Sequence, residues 1–274
     1  MSAELLGAGI SSIELSGGRY SATLLHDLQA LAPEIHFQVH NYFPPPPDPF
    51  VLNLGSLDPE VGERSVRHVE QALEWSRALG GDRYSFHAGF LLDPRVDELG
   101  QRIPSRSLFD REACIEVFVS RVSRLAELAA QVGITLMIEN NVLSARNAQE
   151  FSANPLLMCD PEECLAIMRL LPASVKQLID VAHLKVSANS LQFDPARMFE
   201  LCGDRIAGFH LSDNNGLEDS NQPFGEDAWF WPHLKSDVDY YSVEVYGCPP
   251  AQLLQQARLV ESKLGSQPGP KPGQ

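Results

Sequence analysis

The sequence predicts an α/β fold, a (β/α)8 barrel that lacks its first strand at the N-terminus, and three observations support this prediction. Short β-rich runs alternate with longer amphipathic stretches, which is the pattern of repeated βα units around a parallel sheet. Seven such runs occur along the chain. Side chains that can bind a metal ion stand at the carboxyl ends of several runs, where a parallel barrel carries its catalytic face.

The predicted strands are short and rich in β-branched or aromatic residues. In chain order they are Ser12–Ser16, His36–Tyr42, Arg83–Ala88, Thr135–Asn140, Lys176–Val181, Ile206–Ser212 and Tyr241–Tyr246. An eighth strand would belong before Met1, because MSAELLGAG has the pattern of the end of a helix that leads into the first run. A shortened chain, a late start codon and a native seven-stranded variant all fit this pattern. A dimer contact could cover the two unpaired edge strands, so a homodimer is one expected assembly.

The helices between the strands have clear start and stop signals. Asp110 can cap a long helix that ends at Gly133, and Phe118 and Val122 lie on its apolar face. The pairs Asp160-Pro161 and Asp194-Pro195 have the pattern of a capping residue followed by the first helical turn. We expect one barrel domain over residues 1–264 and a disordered tail over residues 265–274, which are rich in Gly, Pro and Gln.

Composition limits the classes of function. The chain has 274 residues, 44% of them hydrophobic, and a formal net charge of −15. This charge makes nucleic acid an unlikely partner, because affinity for phosphate backbones comes largely from Lys and Arg. The sequence shows neither the pattern of a signal peptide nor an apolar stretch long enough for a membrane helix, so we expect a cytoplasmic protein with no membrane partner. Five cysteines without zinc-knuckle spacing indicate free, buried thiols.

Four ligand-type side chains occupy equivalent places in successive βα units. Glu139 ends the apolar run ITLMIEN, Asp180 ends KQLID, and His210 ends IAGFH; Glu244 lies within YYSVEVY. Carboxylates that point into one cavity repel one another and are costly to desolvate, so this group calls for a cation. Isolated strand-end residues with hydrogen bonds to nearby loops would be the alternative explanation.

Three carboxylates and one imidazole form an oxygen-rich site that suits one Mn²⁺ or Mg²⁺ ion, although Co²⁺ or Zn²⁺ could occupy it. We expect Mn²⁺. Three further histidines lie at or just beyond strand ends, in the same predicted mouth: His40, His87 and His183. We assign them to substrate binding, and His183 could alternatively be a second histidine ligand of the metal.

The chain resembles the xylose isomerase-like superfamily of metal-dependent TIM barrels, which includes sugar epimerases and apurinic endonucleases. The resemblance covers roughly Gly9 to Tyr246 and rests on the order and spacing of IELSGG, HNYFPPP with NLGS, SFHAG, MIEN, DVAH, HLSDN with PFGE, and VEVY. The sugar-epimerase branch implies that Glu139, Asp180, His210 and Glu244 hold one metal, that Glu139 and Glu244 also transfer protons, and that His183 contacts the substrate.

The endonuclease branch implies a different site, with three zinc ions. Its extra ligands would fall on His40, His87, His183, Asp219 and a histidine at the position of Asn221. An amide oxygen is a poor substitute for imidazole on zinc, which argues against the third ion.

We therefore predict a metal-dependent isomerase or epimerase of a sugar, sugar phosphate or related polyol, which works by proton transfer through a metal-stabilised enediolate. A multi-zinc phosphodiesterase and a non-catalytic barrel that serves as a binding subunit are the alternatives. Aromatic candidates for sugar packing are Tyr42, Phe43, Phe90, Trp229, Phe230, Trp231 and His233. Arg102, Arg106 and Arg111 could hold an acidic substrate or form an ordinary solvated loop.

Overall fold

Seven parallel strands form one sheet, and their order in the sheet follows their order in the chain. The computed structural model describes residues 2–235, 237, 238 and 240–265. The strands are β1 (Ser12–Leu15), β2 (His36–His40), β3 (Arg83–His87), β4 (Thr135–Glu139), β5 (Lys176–Asp180), β6 (Ile206–Leu211) and β7 (Tyr241–Val243). All seven predicted strands are confirmed, each ending slightly earlier than predicted because the residues at the carboxyl end turn into the loops.

Helices alternate with these strands and cover the sheet. They are α1 (Ser2–Gly7), α2 (Leu24–Leu31), α3 (Pro59–Ala78), α4 (Arg111–Val132), α5 (Ala145–Glu150), α6 (Pro161–Leu170), α7 (Val181–Leu191), α8 (Ala196–Cys202) and α9 (Pro250–Gly265). Together with the strand order, they form a (β/α) barrel that lacks one strand, as predicted.

The predicted helix boundaries have the expected capping contacts. The carboxylate of Asp110 accepts a hydrogen bond from the N–H of Ala113 at 2.9 Å, and Gly133 ends α4 with a φ of 74°. Asp160 caps α6 in the same way, through the N–H of Glu163. Because a side chain is strained at positive φ, glycine is the residue that stops α4 most easily.

The barrel is open between β7 and β1, since the described residues contain no backbone pairing between these two strands. Side chains cross this opening instead. The carboxylate of Glu14 in β1 accepts hydrogen bonds from the hydroxyls of Tyr240 and Ser242 on the β7 side. Polar side chains, and not a strand, therefore connect the two edges of the opening.

Strand register brings the polar ends of the strands to one level. His87 is paired with Glu139 between β3 and β4, and Asp180 is paired with His210 between β5 and β6. Side chains two residues apart share one face of a strand, so Gly208 faces the interior beneath His210. A Cβ on Gly208 would lie 2.7 Å from the ring of Tyr240, which shows that the barrel is filled below the polar level.

Three other predictions concern the whole chain. The division into a barrel of residues 1–264 and a tail from Gly265 stays a prediction: Gly265 ends α9, and residues 266–274 lie outside the described residues. Among the described helices, none has the length and apolar character needed to cross a membrane. The cysteines are free, and four of the five are buried, with Cys248 partly exposed.

Candidate metal centre and adjoining cavity

The structure brings the four predicted metal ligands together at the carboxyl ends of the strands. One ligand atom each from Glu139, Asp180, His210 and Glu244 lies within 4.8 Å of the other three. Glu139, Asp180 and His210 are fully buried, and the side chain of Glu244 is 15% exposed. Glu244 follows β7 directly, and its N–H donates to the carbonyl of Leu211 at 3.0 Å, which fixes its height beside His210.

The atoms that face the centre of this cluster make no hydrogen bonds. They are both carboxylate oxygens of Glu139, Oδ2 of Asp180, Nδ1 of His210 and Oε2 of Glu244. A buried polar atom without a partner costs about 1–3 kcal/mol, and more when it is charged. Such atoms seldom gather in one place unless a ligand satisfies them. Their number, chemistry and convergence fit a divalent metal ion.

The same residues carry opposing pKa shifts. Burial alone would raise the pKa of Glu139, but the imidazoles of His87, His210 and His40 lower it well below its usual value. Burial raises the pKa of Asp180 well above its usual value, and the nearby Glu139 and Glu244 raise it further. One carboxyl group therefore tends to stay protonated in a cluster that holds no cation, which is the behaviour of closely spaced acids.

Asn140 supports this cluster although sequence reasoning gave it no role. Its side-chain amide donates to the carbonyl of Asp180 at 3.1 Å and accepts from the N–H of Asp180 at 2.9 Å. Oδ1 of Asp180 in turn caps α7 by accepting from the N–H of His183. Asp180 is thus held on both sides, and its other oxygen stays directed at the cluster.

The three histidines predicted to bind substrate lie around Glu139. Nε2 of His40 and Nδ1 of His87 are each 3.3 Å from Oε2 of Glu139, and these three residues form a second group that could hold a metal ion. Nδ1 of His183 lies 3.6 Å from Oε1 of Glu139. His87 and His183 also line the adjoining cavity, whereas His40 is 2% exposed and lies outside its lining.

Asp219 contacts a histidine of the site, whereas Asn221 makes hydrogen bonds to the backbone after β7. Oδ2 of Asp219 is 3.2 Å from Nε2 of His183, and its Oδ1 is buried without a partner. The side-chain amide of Asn221 donates to the backbone carbonyl of Glu244, and the backbone carbonyl of Asn221 accepts from the N–H of Tyr246. Asn221 therefore ties its loop to the chain after β7.

Glu14 is a residue of the site that sequence reasoning missed. Its Oε2 lies 3.0 Å from Nε2 of His210, on the side of the imidazole opposite the metal ligands. The available signal was the polar residue between Ile13 and Leu15, two buried positions of β1. Alternation along a strand places such a residue inside the barrel, but its partner on β6 is almost two hundred residues away.

A cavity of about 680 Å³ adjoins the cluster. His87, His183 and Asp219 belong to its wall, and Tyr246 joins it to the ligands through a hydrogen bond from its hydroxyl to Oε1 of Glu244 at 2.7 Å. The charged side chains of the lining are Glu98, Arg146, Glu218 and Asp219. Arg146 is 3.8 Å from Glu218, Glu98 is paired with Arg106, and Asp219 contacts His183, so each carboxylate of the wall has a basic partner.

The predicted aromatic contacts divide into two groups. Tyr42 and Phe90 line the cavity. Phe43 is buried in the core against Trp75. Trp229, Phe230, Trp231 and His233 lie outside the cavity lining and pack around Phe199 and Phe224.

The three arginines of the loop after β3 are held by carboxylates. Arg102 pairs with Glu150, Arg106 pairs with the buried Glu98, and Arg111 at the start of α4 pairs with Glu163. Glu98 is 3% exposed, so its pair with Arg106 fixes the loop beside the cavity. These cations are engaged in the structure of the loop.

Comparison with known proteins identifies the fold independently. The family model described as xylose isomerase-like TIM barrel matches residues 3–255. No curated protein matches the sequence significantly.

Solved structures of several proteins share the fold. A D-tagatose 3-epimerase-like protein is 19% identical with a TM-score of 0.69, covering 93% of this chain and 88% of that one. An L-ribulose 3-epimerase is 17% identical with a TM-score of 0.67, covering 97% and 88%. A family 2 AP endonuclease from Brucella melitensis is 16% identical with a TM-score of 0.65, covering 94% and 92%. At such identities the similarity shows the fold alone.

Proposed function

The chain belongs to the xylose isomerase-like TIM barrel family, and from this membership and the geometry of the site we propose that it is a metal-dependent isomerase or epimerase. Its substrate is a sugar, a sugar phosphate or a related polyol. Glu139, Asp180, His210 and Glu244 hold one divalent ion, with Mn²⁺ as the proposed metal. The observation that carries this proposal is the convergence of five buried, unpaired ligand atoms beside a cavity of about 680 Å³.

Glu139 and Glu244 are suited to exchange protons with a substrate. They enter the centre from β4 and from the chain after β7, so they can approach a bound molecule from different sides. Burial would raise the pKa of Glu244, but His210 beside it lowers the pKa to about 2. Both carboxyl groups are thus ionised near neutral pH in the metal-free protein, and either can accept a proton. A bound divalent ion would stabilise negative charge on the oxygens next to the carbon that loses its proton.

His87 and His183 are proposed to position the substrate from the cavity wall, and Asp219 holds His183 in place. His40 acts behind them. Its Nδ1 lies 2.9 Å from the hydroxyl of Ser85, and its Nε2 faces Glu139. The predicted contact between His40 and substrate therefore needs access past Glu139, and we propose that His40 serves mainly to hold that carboxylate.

The charges at the mouth favour a sugar over nucleic acid. Duplex DNA requires cations that neutralise phosphates, but the arginines near the cavity are paired with Glu150, Glu98 and Glu163. Hydroxyl groups of a sugar can instead form hydrogen bonds with the carboxylates and imidazoles of the cavity wall. Sugar epimerases and an AP endonuclease share this fold to a similar degree, so the choice rests on these charges and not on the comparisons.

The test combines metal counting with a substrate screen. Protein stripped by a chelator is reloaded with Mn²⁺, Co²⁺, Mg²⁺ or Zn²⁺, and bound ions are counted by elemental analysis. Each form is then incubated in D₂O with a panel of ketoses and sugar phosphates, and deuterium at the reacting carbon is measured by NMR. We expect one ion per chain and exchange that disappears in Glu244→Gln. Glu116→Gln, on the exposed face of α4, is the matched control and should retain activity.

The main competing function is a multi-zinc phosphodiesterase, and one observation favours it: His40, His87 and Glu139 form a second group with metal-binding geometry. Two or three zinc ions per chain, with cleavage of abasic DNA and no exchange in sugars, would replace the proposal by this function. A chain that binds no metal and neither exchanges nor cleaves would be a non-catalytic barrel.

A further inference from the structure

The open side of the barrel holds a carboxylate that reaches the proposed metal centre from behind. Glu14 lies in β1, and its side chain is only 10% exposed. Its Oε2 lies 3.0 Å from Nε2 of His210 and also accepts from the hydroxyl of Tyr240. Its Oε1 accepts from the hydroxyl of Ser242 at 3.4 Å. Both oxygens of Glu14 are therefore engaged.

His210 stands between Glu14 and the predicted ligands, with one ring nitrogen directed to each side. Nδ1 lies 2.9 Å from Oε2 of Glu244 and 3.2 Å from Oε1 of Glu139, and it makes no hydrogen bond. Nε2 faces Glu14. A carboxylate on one nitrogen of a histidine selects the tautomer whose proton lies there and leaves the lone pair on the other nitrogen.

We propose that Glu14 is a positioning residue for the metal centre, which holds His210 with its proton on Nε2 and its Nδ1 lone pair directed at the ion. This inference rests on the metal site of the proposed function but not on its substrate. Through the same contacts, Glu14 joins β1 to the β6–β7 edge, where the barrel has no strand. The side chain that crosses the opening of the barrel is thus also the one that orients a metal ligand.

Glu14 could alternatively be a ligand itself, because Glu14, His40 and His210 also have atoms within 4.8 Å of one another. Three observations favour positioning. The hydroxyls of Tyr240 and Ser242 already occupy its oxygens, and an ion at this place would need Nε2 of His210 while another ion used Nδ1. Bridging two ions would require the imidazole to lose both of its protons. His40 also directs its Nε2 towards Glu139.

The experiment measures metal binding, so it does not depend on knowing the substrate. Glu14→Gln and Glu14→Ala are compared with wild type by calorimetric titration of the full, chelator-stripped protein with Mn²⁺. Removing the partner of a metal-binding histidine typically weakens affinity 10- to 100-fold. We expect the dissociation constant to rise about 10-fold in Glu14→Gln and towards 100-fold in Glu14→Ala. The number of ions per chain should not change.

Three further measurements separate positioning from a purely structural contact across the opening of the barrel. Tyr240→Phe and Ser242→Ala remove contacts across the opening but keep the carboxylate on His210, so they should lower the melting temperature while changing Mn²⁺ affinity less than threefold. The visible absorption bands of the Co²⁺-loaded protein should shift in Glu14→Gln and stay unchanged in these two controls. Histidine ¹H–¹⁵N spectra of wild type loaded with diamagnetic Zn²⁺ should show the proton of His210 on Nε2.

The opposing outcomes are distinct. Loss of one bound ion in Glu14→Gln would show that Glu14 is a metal ligand. Unchanged Mn²⁺ affinity and unchanged Co²⁺ absorption bands would show that Glu14 makes only a structural contact. Either result overturns the proposal. If wild type binds one ion and the Glu14 variants weaken it, but no sugar is turned over, the positioning role stands and the proposed function fails.

Discussion

Two buried polar clusters of this barrel contain similar residues but differ in how their hydrogen bonds are satisfied. The first is the group of four proposed metal ligands, which we call the metal cluster: Glu139, Asp180, His210 and Glu244. The second, which we call the loop anchor, consists of Asn53, Ser56 and Asp93 and lies beside the loops after β2 and β3. Asn53 and Ser56 are 1% and 0% exposed, comparable with the metal cluster.

In the loop anchor the side chains satisfy one another and the nearby backbone. The amide of Asn53 donates to the carbonyl of Leu92 at 3.0 Å and to Oδ1 of Asp93 at 2.8 Å. Its oxygen accepts from the N–H groups of Gly55 and Phe90, and the hydroxyl of Ser56 donates to Oδ2 of Asp93. The metal cluster instead directs its unpaired atoms at one point. A completed network indicates a structural role, whereas convergent unpaired atoms indicate a ligand.

The largest expected effect sharpens this difference. Glu139→Gln keeps the shape of the side chain but removes the charge that faces His40, His87 and His210. We expect Mn²⁺ binding to weaken strongly and sugar exchange to fall by about 10²–10⁴-fold, the usual contribution of a proton-transfer group. Calorimetry and NMR exchange measure the two effects, with Glu116→Gln as control. Normal metal binding in Glu139→Gln would remove Glu139 from the ligand set.

The same contrast explains how far sequence reasoning reached. Strand ends could be located because β-rich runs, capping aspartates and glycine stops are local signals, and all seven strands were confirmed. Glu139 and Asp180 end their strands and His210 is the last residue but one of β6, so a parallel barrel brings them together. The sequence motifs NLGS and MIEN also contain asparagines whose roles the sequence did not reveal. In the structure, Asn53 anchors a loop and Asn140 holds Asp180.

What the sequence could not predict depends on contacts between distant residues. Glu14 reaches His210 across the opening of the barrel, and nothing local to β1 indicates that partner. The arginines after β3 could have faced a substrate, but their carboxylate partners lie in other segments, such as Glu150 in α5 and Glu163 in α6. Which side chains line the cavity depends equally on how the segments after β2, β3, β4, β5, β6 and β7 pack together.

Removing the centre of the loop anchor tests its structural role. Asn53→Ala removes the partner of Oδ1 of Asp93 and of backbone groups of Gly55, Phe90 and Leu92. Each buried group left without a partner costs about 1–3 kcal/mol. We therefore expect a loss of about 3–4 kcal/mol in the free energy of unfolding, measured by urea denaturation of the metal-free protein. Metal affinity should stay unchanged at temperatures where the variant is folded.

Gln29→Ala supplies the matched control for Asn53→Ala, because the amide of this exposed residue in α2 donates only a 3.4 Å contact to the carbonyl of Ala78. It should change stability by less than about 0.5 kcal/mol. An equally small effect of Asn53→Ala would contradict the structural role of the loop anchor.

His68 in α3 is the residue that could break the comparison, since it is 4% exposed and its Nε2 has no partner although it lies outside the metal cluster. Burial lowers its pKa to about 4, against a hydrogen bond to the backbone of Asn41 that raises it, and the charge of Arg64 lowers it further. The imidazole ring of His68 is stacked on the ring of Tyr42, with 5.2 Å between the ring centroids. Among the described residues, His68 belongs to none of the groups that could hold a metal ion. We therefore expect His68 to bind no metal and to act through its titration.

The sign of this effect follows from the lowered pKa. Between pH 6.5 and about 4 the unfolded chain binds a proton that folded His68 does not, so His68 makes the protein less stable as the pH falls through this window. The full contribution is at most about 3 kcal/mol. His68→Phe should flatten the fall in unfolding free energy over this range, with unchanged Mn²⁺ affinity. A parallel fall in both proteins would contradict the assignment.

The smallest expected effect concerns the cost of leaving ligand atoms unsatisfied. Asp180→Asn can still cap α7 through its side-chain oxygen, as Asp180 does at 2.7 Å from the N–H of His183, but it removes an acid whose pKa burial raises well above its usual value. A raised pKa means that the folded state loses stability as the pH rises above the unfolded value, and Asn lacks this loss. Metal-free Asp180→Asn should therefore be more stable than wild type at pH 7 by about 1 kcal/mol.

In excess Mn²⁺ the order should reverse, because binding to the folded state stabilises wild type by about 2.7 kcal/mol at one hundred times the dissociation constant. Asp110→Asn, an exposed helix cap, should show no such reversal. If wild type is the more stable protein in chelator as well as in metal, the unpaired oxygen of Asp180 carries no cost, and the distinction between the two clusters is wrong at that residue.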